Sequence, residues 1–283
     1  MIFVEWKKAK NILIIMFLVI DILLLSLNFY SNYGNNNVDY DKLSKILNKN
    51  NINIEENLVK KNRKTGFVYE FSSIEISEEF KKAVLGEYDK TEKGEFVSKN
   101  KKASLSIDGN KILYSNSNPE FDDFKKVNQK NISSKLKSYI KQLGVSKYAS
   151  LKNVKENDGK YTAEYIFKVD NNPLFSSKLE FVVSKDGIHN MEAVLNIPNK
   201  SNGYKFELSG IETILLNFCR NNNFLSPVDI VEITYGYYIS DYENAVVSQA
   251  LPSYLIKTKN KSYVYDARDG VDSAQRFLAY SEY

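Results

Sequence analysis

The chain has 283 residues, with 39 Lys+Arg against 35 Asp+Glu for a net charge of +4, and 43% of it is hydrophobic. That is enough apolar material for one or two packed domains and too much for a disordered polymer. One His and one Cys exclude a zinc site with two or more such ligands, a disulfide framework and a tandem Cys-His pair. No metal or other cofactor is expected, and the evenly spread positive charge gives no basic stripe for nucleic acid.

From the N-terminus, residues 12–30 read ILIIMFLVIDILLLSLNFY, about nineteen positions, close to the thickness of a bilayer core at ~1.5 Å per residue. The 11–30 segment is therefore predicted to be a single transmembrane helix. Lys7, Lys8 and Lys10 precede it and residues 31–40 hold no Lys or Arg, which places residues 1–10 in the cytoplasm and the rest outside the cell membrane. Trp6 at one end, and Phe29, Tyr30 and Tyr33 at the other, suit the interfacial belts. A cleaved signal peptide shares the basic start, but the apolar run is too long for it and residues 28–31 (Asn-Phe-Tyr-Ser) offer no small-x-small cleavage site. No Cys stands directly after the span, so a lipoprotein anchor is not expected.

Asp21 sits near the middle of that span, where an acid costs about 2.5–3.5 kcal/mol. Ile14, Asp21 and Asn28 recur every seven positions, with Phe17 and Leu24 between them, so all five share one helix face. A protonated, lipid-facing acid is one reading. The other is a face that packs on a second transmembrane helix, where a polar group in hydrocarbon gains most from a partner.

Without residues 1–30 the chain keeps 36 basic and 33 acidic residues, a net of +3. Residues 31–38 read as a stalk, and Asn-rich stretches at 35–37 and 221–223 as loops. An α+β ectodomain is expected, with a first α+β region over 39–130 and two helix-plus-three-strand modules at 131–200 and 201–283. In the first region 39–49 is an amphipathic helix, 67–76 a strand, and 103–107 with 111–115 a hairpin turning at Asp108-Gly109-Asn110. A helix over 132–143, ended by Gly144, leads into strands near 161–169, 178–184 and 188–197. A helix over 210–220 leads into strands near 229–239, 254–258 and 263–266.

No reaction centre is legible: the sequence has no Gly-x-Ser-x-Gly elbow, no His-Glu-x-x-His and no glycine-rich phosphate loop. Ser133-Ser134-Lys135 reads as a helix start, His189 as a surface or edge residue, and Cys219 as a buried small hydrophobe. Glu55-Glu56 and Glu78-Glu79 sit where acids favour a helix dipole.

The opening, Trp6-Lys-Lys-Ala-Lys10 through Phe17-Leu-Val-Ile-Asp21, closely resembles the start of YycI, of the YycH/YycI family of membrane-anchored regulators in low-GC Gram-positive bacteria. The stretches Glu232-Ile-Thr-Tyr-Gly-Tyr-Tyr238, Ala250-Leu-Pro-Ser-Tyr-Leu-Ile256 and Tyr263-Val-Tyr-Asp-Ala267 with Gly270 are similar to the closing pattern of that family. Ser253-Tyr254 stands where Ala-Trp is more typical, and residues 50–130 match poorly. The resemblance implies a non-enzymatic protein that modulates an essential sensor histidine kinase of the WalK/YycG type, which controls cell-wall metabolism. Its partners would be that kinase and a YycH-like protein, with a homo- or heterodimer as the assembly and transmembrane and outer-domain contacts as the means. Two rivals stand beside it: a module that inhibits or docks a secreted peptidase or cell-wall enzyme, and a surface hydrolase with an unrecognised carboxylate pair.

Overall fold

Secondary structure follows the hydrophobic periods closely where they are strong. The computed structural model describes residues 10, 13–24, 39–59, 63–72, 75–198, 203–240 and 248–282. In chain order it begins with helix α1 (13–24), α2 (Tyr40–Lys49), strand β1 (Ile52–Asn53) and α3 (Glu56–Val59). Next come β2 (Thr65–Ser72), α4 (Glu78–Leu85), β3 (Tyr88–Lys90), β4 (Phe96–Ser98), β5 (Ala103–Asp108) and β6 (Lys111–Asn116). Helix α5 (Ile132–Gln142) precedes β7 (Ala149–Asn157), β8 (Lys160–Val169), β9 (Asn172–Ser184), β10 (Gly187–Val194), β11 (Ile197–Pro198) and β12 (Tyr204–Glu207). Helix α6 (Ile211–Asn221) precedes β13 (Val228–Ser240), β14 (Ser248–Thr258), β15 (Lys261–Asp266) and β16 (Phe277–Glu282).

The chain divides into two units, residues 1–62 with 211–228, and residues 63–210 with 229–283. In the first, Asp39 caps α2 by accepting from the Lys42 amide at 3.2 Å, and the Lys42 side chain beside it holds its carboxyl below the usual range. One face of α2 buries Leu43 and Leu47, and α6, which packs on it, buries Ile211, Ile214, Leu215 and Phe218. These positions repeat at three and four residues, so both helices owe their place to an apolar stripe.

The second unit is built on antiparallel sheet. Strands β7-β8-β9-β10-β6-β5-β4-β3 lie side by side, each pairing antiparallel with its neighbours. A second run places β2, β14 and β13 together, with β15 and β16 continuing from β14. The two runs meet at one parallel bridge, Tyr237 of β13 with Leu174 of β9. Burial alternates along β6 and β8 as the pleat requires. The inward set includes Leu105, Ile112, Tyr165, Phe167, Phe181, Val183 and Met191, covered by Phe80 and Val84 of α4 and by Leu136 and Ile140 of α5. The two covering helices are tied by Ser77, whose Oγ caps α4 at the Phe80 amide (3.2 Å) and donates to the Gln142 carbonyl (3.0 Å). This is an α+β fold with a large, mostly antiparallel sheet.

Several boundaries differ from the sequence expectation. The strand expected over 67–76 runs Thr65–Ser72; Ile76 instead turns into the core just before the Ser77 cap. Strands β3, β4, β7 and β16 were not foreseen, so each of α5 and α6 is followed by a longer set of strands than three. Of these, β7 is polar on most positions and pairs only with β8 among the described residues, which erases the alternation that marks a half-buried strand.

Candidate functional site

Helix α1 carries four of the five residues of the expected packing face: Ile14, Phe17, Asp21 and Leu24. Asn28 lies outside the described residues, as do the stalk and most of residues 1–12. Ile14, Phe17 and Leu24 are 50%, 56% and 59% exposed, and the large apolar residues from Leu13 to Leu24 are exposed on all sides of the helix. The face thus lies open to whatever surrounds the helix. Among the described residues no helix is long and apolar enough to cross a membrane; α1 as described covers twelve positions of the 11–30 segment.

The closing motifs come together on three neighbouring strands. Tyr235 of β13 stands opposite Tyr254 of β14, which stands opposite Tyr265 of β15. Rings of Tyr235 and Tyr254 meet edge to face at 5.5 Å, Tyr237 meets Tyr69 of β2 at 5.2 Å, and the Arg63 guanidinium lies 4.4 Å from the Tyr235 ring centre. Burial pushes the Tyr235 phenol well above the ordinary range and raises that of Tyr254. Tyr69 is raised by burial and by its hydrogen bond to Asp170. Such phenols stay protonated, so the cluster is a packed aromatic wall rather than a source of nucleophiles.

Beside this wall the Tyr-Asp-Ala-x-x-Gly stretch forms a buried polar network. Arg276, 4% exposed, donates from Nη1 to the carbonyls of Asp266 (3.2 Å) and Arg268 (3.0 Å) and from Nη2 to Ser209 Oγ (2.9 Å). Ser209 Oγ donates in turn to Asp269 Oδ1 at 2.9 Å. Arg268 grips the Asp266 carboxylate with Nε and Nη2 at 3.0 and 2.7 Å. Sequence reasoning picked out Asp266 and Gly270 but missed Arg276 and Ser209; an arginine six residues beyond a conspicuous motif carries no pattern that names its partner.

Reactive side chains are held in other bonds. His189 stands near the start of β10, at a shift in the β9 register and just before the β6 pairing begins at Asn190, and its ring is half-buried with Nε2 2.9 Å from Ser184 Oγ. Cys219 is half-buried rather than buried, and desolvation pushes its thiol up, which lowers its reactivity. Ser133 and Ser134 lie in the first turn of α5. Glu164, Glu180 and Glu192 stand in a row across β8, β9 and β10, and Lys155 and Lys178 bind the outer two. A groove of about 500 Å³ is lined by Ser104, Ser115, Asn190 and two of the three, Glu180 and Glu192. Among the described residues no three His, Cys, Asp or Glu side chains gather as a metal site.

No family model matches the chain, and no curated protein matches it in sequence. Among solved structures it is similar to an uncharacterized protein from Eubacterium rectale ATCC 33656, with TM-score 0.48 and 12% identity over 87% of this chain and 96% of that one. It is also similar to YycH from Bacillus subtilis, with TM-score 0.45 and 12% identity over 70% of this chain and 51% of that one. The C-terminal domain of YpeB from Bacillus megaterium matches with TM-score 0.36 and 11% identity over 74% and 98%.

Proposed function

We propose that this chain is a single-pass, membrane-anchored regulator of a sensor histidine kinase, working by contact and not by catalysis. The observation that carries the reading is α1, an apolar helix exposed on all sides with one acid, Asp21, in its middle. A surface of that kind is stable in lipid or against another helix, not in water. Lysines before the span and none directly after it support an N-terminus in the cytoplasm and an outer α+β domain. The YycI-like opening around Trp6–Asp21 supports a WalK/YycG-type kinase and a YycH-like protein as partners, with cell-wall metabolism as the process controlled.

In this mechanism the Ile14–Phe17–Asp21–Leu24–Asn28 face packs on a transmembrane helix of the kinase or of the YycH-like protein. It favours one of two signalling arrangements in proportion to how much better it binds that one. The outer domain adds contacts, and its polar side chains need perform no chemistry. The test is a pull-down of the full chain from native membranes after mild cross-linking, read by mass spectrometry. Recovery of a sensor histidine kinase is expected. Recovery of a secreted peptidase or cell-wall enzyme, with no kinase, would replace this reading by the docking-module one.

A further inference from the structure

A second groove, of about 500 Å³, opens where the two runs of sheet part. Between β8 and β9 the register steps from Phe167 opposite Leu174 to Ile166 opposite Lys178, so residues 175–177 of β9 face no partner on β8. A break of this kind bends a strand, and beside it β9 is joined to β13 at the Tyr237–Leu174 bridge. One wall of the groove is the outer face of β7, β8 and β9, with Lys152, Ile166 and Glu180. The other is formed by β13 and β14, where Thr234 stands opposite Leu255 and Glu232 opposite Lys257. Ile166, Phe175 and Leu255 are half-buried and give the groove an apolar middle. Its volume falls within the ~300–1,000 Å³ of small-ligand pockets.

Opposite charges stand on either side of that middle. Asn153, Glu164 and Glu180 lie opposite one another across β7, β8 and β9, and Lys152 precedes Asn153 at a shift in the β7–β8 register. Lys152 and Glu180 are therefore two strand spacings apart, about 10 Å, with β8 and its Ile166 between them. Three extended residues reach about the same distance. Midway, Glu164 is held by Lys155 at 2.8 Å, and Lys178 is bound to Glu192. Among the described residues neither Lys152 nor Glu180 makes an ion pair. Lys152 is exposed and Glu180 half-buried.

We propose that this groove binds a short peptide with free ends, about three residues long, its ammonium at Glu180, its carboxylate at Lys152 and an apolar side chain among Ile166, Phe175 and Leu255. A ligand of one sign would leave one of the two charges unmatched, and a neutral apolar ligand would leave both. Glu232 and Lys257 put both signs on the facing wall as well, so a purely anionic or cationic ligand gains nothing there. A single amino acid is too short to span from Lys152 to Glu180. This goes beyond the regulatory reading and does not rest on it: the groove belongs to the outer domain whichever partner the chain meets.

The probe is the free tripeptide Ala-Leu-Ala, titrated calorimetrically into the full chain in lipid nanodiscs, with the signal of empty nanodiscs subtracted. A dissociation constant on the order of 0.1 mM is expected, which a ligand of roughly twenty heavy atoms reaches at ordinary efficiency. The same tripeptide, acetylated and amidated at its ends, is expected to bind about tenfold more weakly or worse, through loss of its charge-assisted contacts. Lys152→Gln and Glu180→Gln are each expected to weaken the free tripeptide about tenfold and to leave the capped one unchanged. Ile166→Arg, which fills the apolar middle, is expected to abolish binding. No saturable uptake of the free tripeptide by the unmodified chain, or equal uptake of the two forms, would overturn the proposal even if every variant failed to fold. Binding that survives in a folded Ile166→Arg would place the peptide elsewhere and overturn it too. Self-association of the chain that Ile166→Arg abolishes, without peptide uptake, would assign the groove to a second copy instead.

Discussion

Arg276→Ala is expected to destabilise the protein by about 3–5 kcal/mol, the cost of removing one member of a buried charged network. The guanidinium is 4% exposed and serves the carbonyls of Asp266 and Arg268 and the Ser209 hydroxyl. Truncation orphans all three acceptors in a site water reaches poorly and takes from Asp269 a positive charge it faces, while Asp266 keeps Arg268. Ser209 also receives the β15 end through its own amide, which donates to Ala267 O at 2.8 Å. The loss therefore spreads from β16 to the segment before α6. Arg276→Lys keeps the charge but not the planar fork, so it is expected to recover only part of the difference. Urea unfolding followed by far-UV circular dichroism reads both variants. A shift of under about 1 kcal/mol for the alanine variant would mean that the network is no more than a surface ion pair.

Gly236→Ala is expected to cost about 1–3 kcal/mol by overpacking, with the upper end favoured because the obstacle is backbone. A Cβ at Gly236 would lie 2.3 Å from the Pro173 carbonyl oxygen and 2.6 Å from Phe175 Cζ. The residue adjoins Tyr237, half of the one bridge that joins the two runs of sheet. A ring can rotate away and a carbonyl in a paired strand cannot. Phe175→Ala added to Gly236→Ala is therefore expected to restore little of the lost stability, as a double-mutant cycle would record. Full restoration would show that the ring, not the close approach of the strands, requires the glycine.

Much of the outer domain was legible because its burial patterns are strong. The 103–107 and 111–115 hairpin was foreseen from Asp-Gly-Asn, and Gly109 takes the positive φ of 57° that such a turn needs. Gly144 ends α5 at φ 76° in the same way. Short or polar strands were not legible: β3 and β4 span three residues each, and β7 owes its place to pairing with β8 rather than to its own apolar positions. The helix expected over 11–30 is described at 13–24, where Ile14, Phe17, Asp21 and Leu24 fall. The tyrosine wall was visible as motifs, but their meeting across β2, β13 and β14 depends on register. His189, read as a surface or edge residue, has a half-buried ring at a shift in the β9–β10 register.

If the Asp21 face sets the activity of a kinase through the membrane, as proposed, the acid is the group whose removal tests it. Asp21→Leu removes the costly acid while keeping the helix apolar, so insertion is expected to be unimpaired or improved. The measurement is kinase output in cells, as phosphorylation of its response regulator, together with recovery of the kinase in the same membrane pull-down. Output is expected to change by about 5–150-fold, the usual range of coupling between linked sites, with weakened recovery at equal membrane abundance. Unchanged output with unchanged recovery would contradict it.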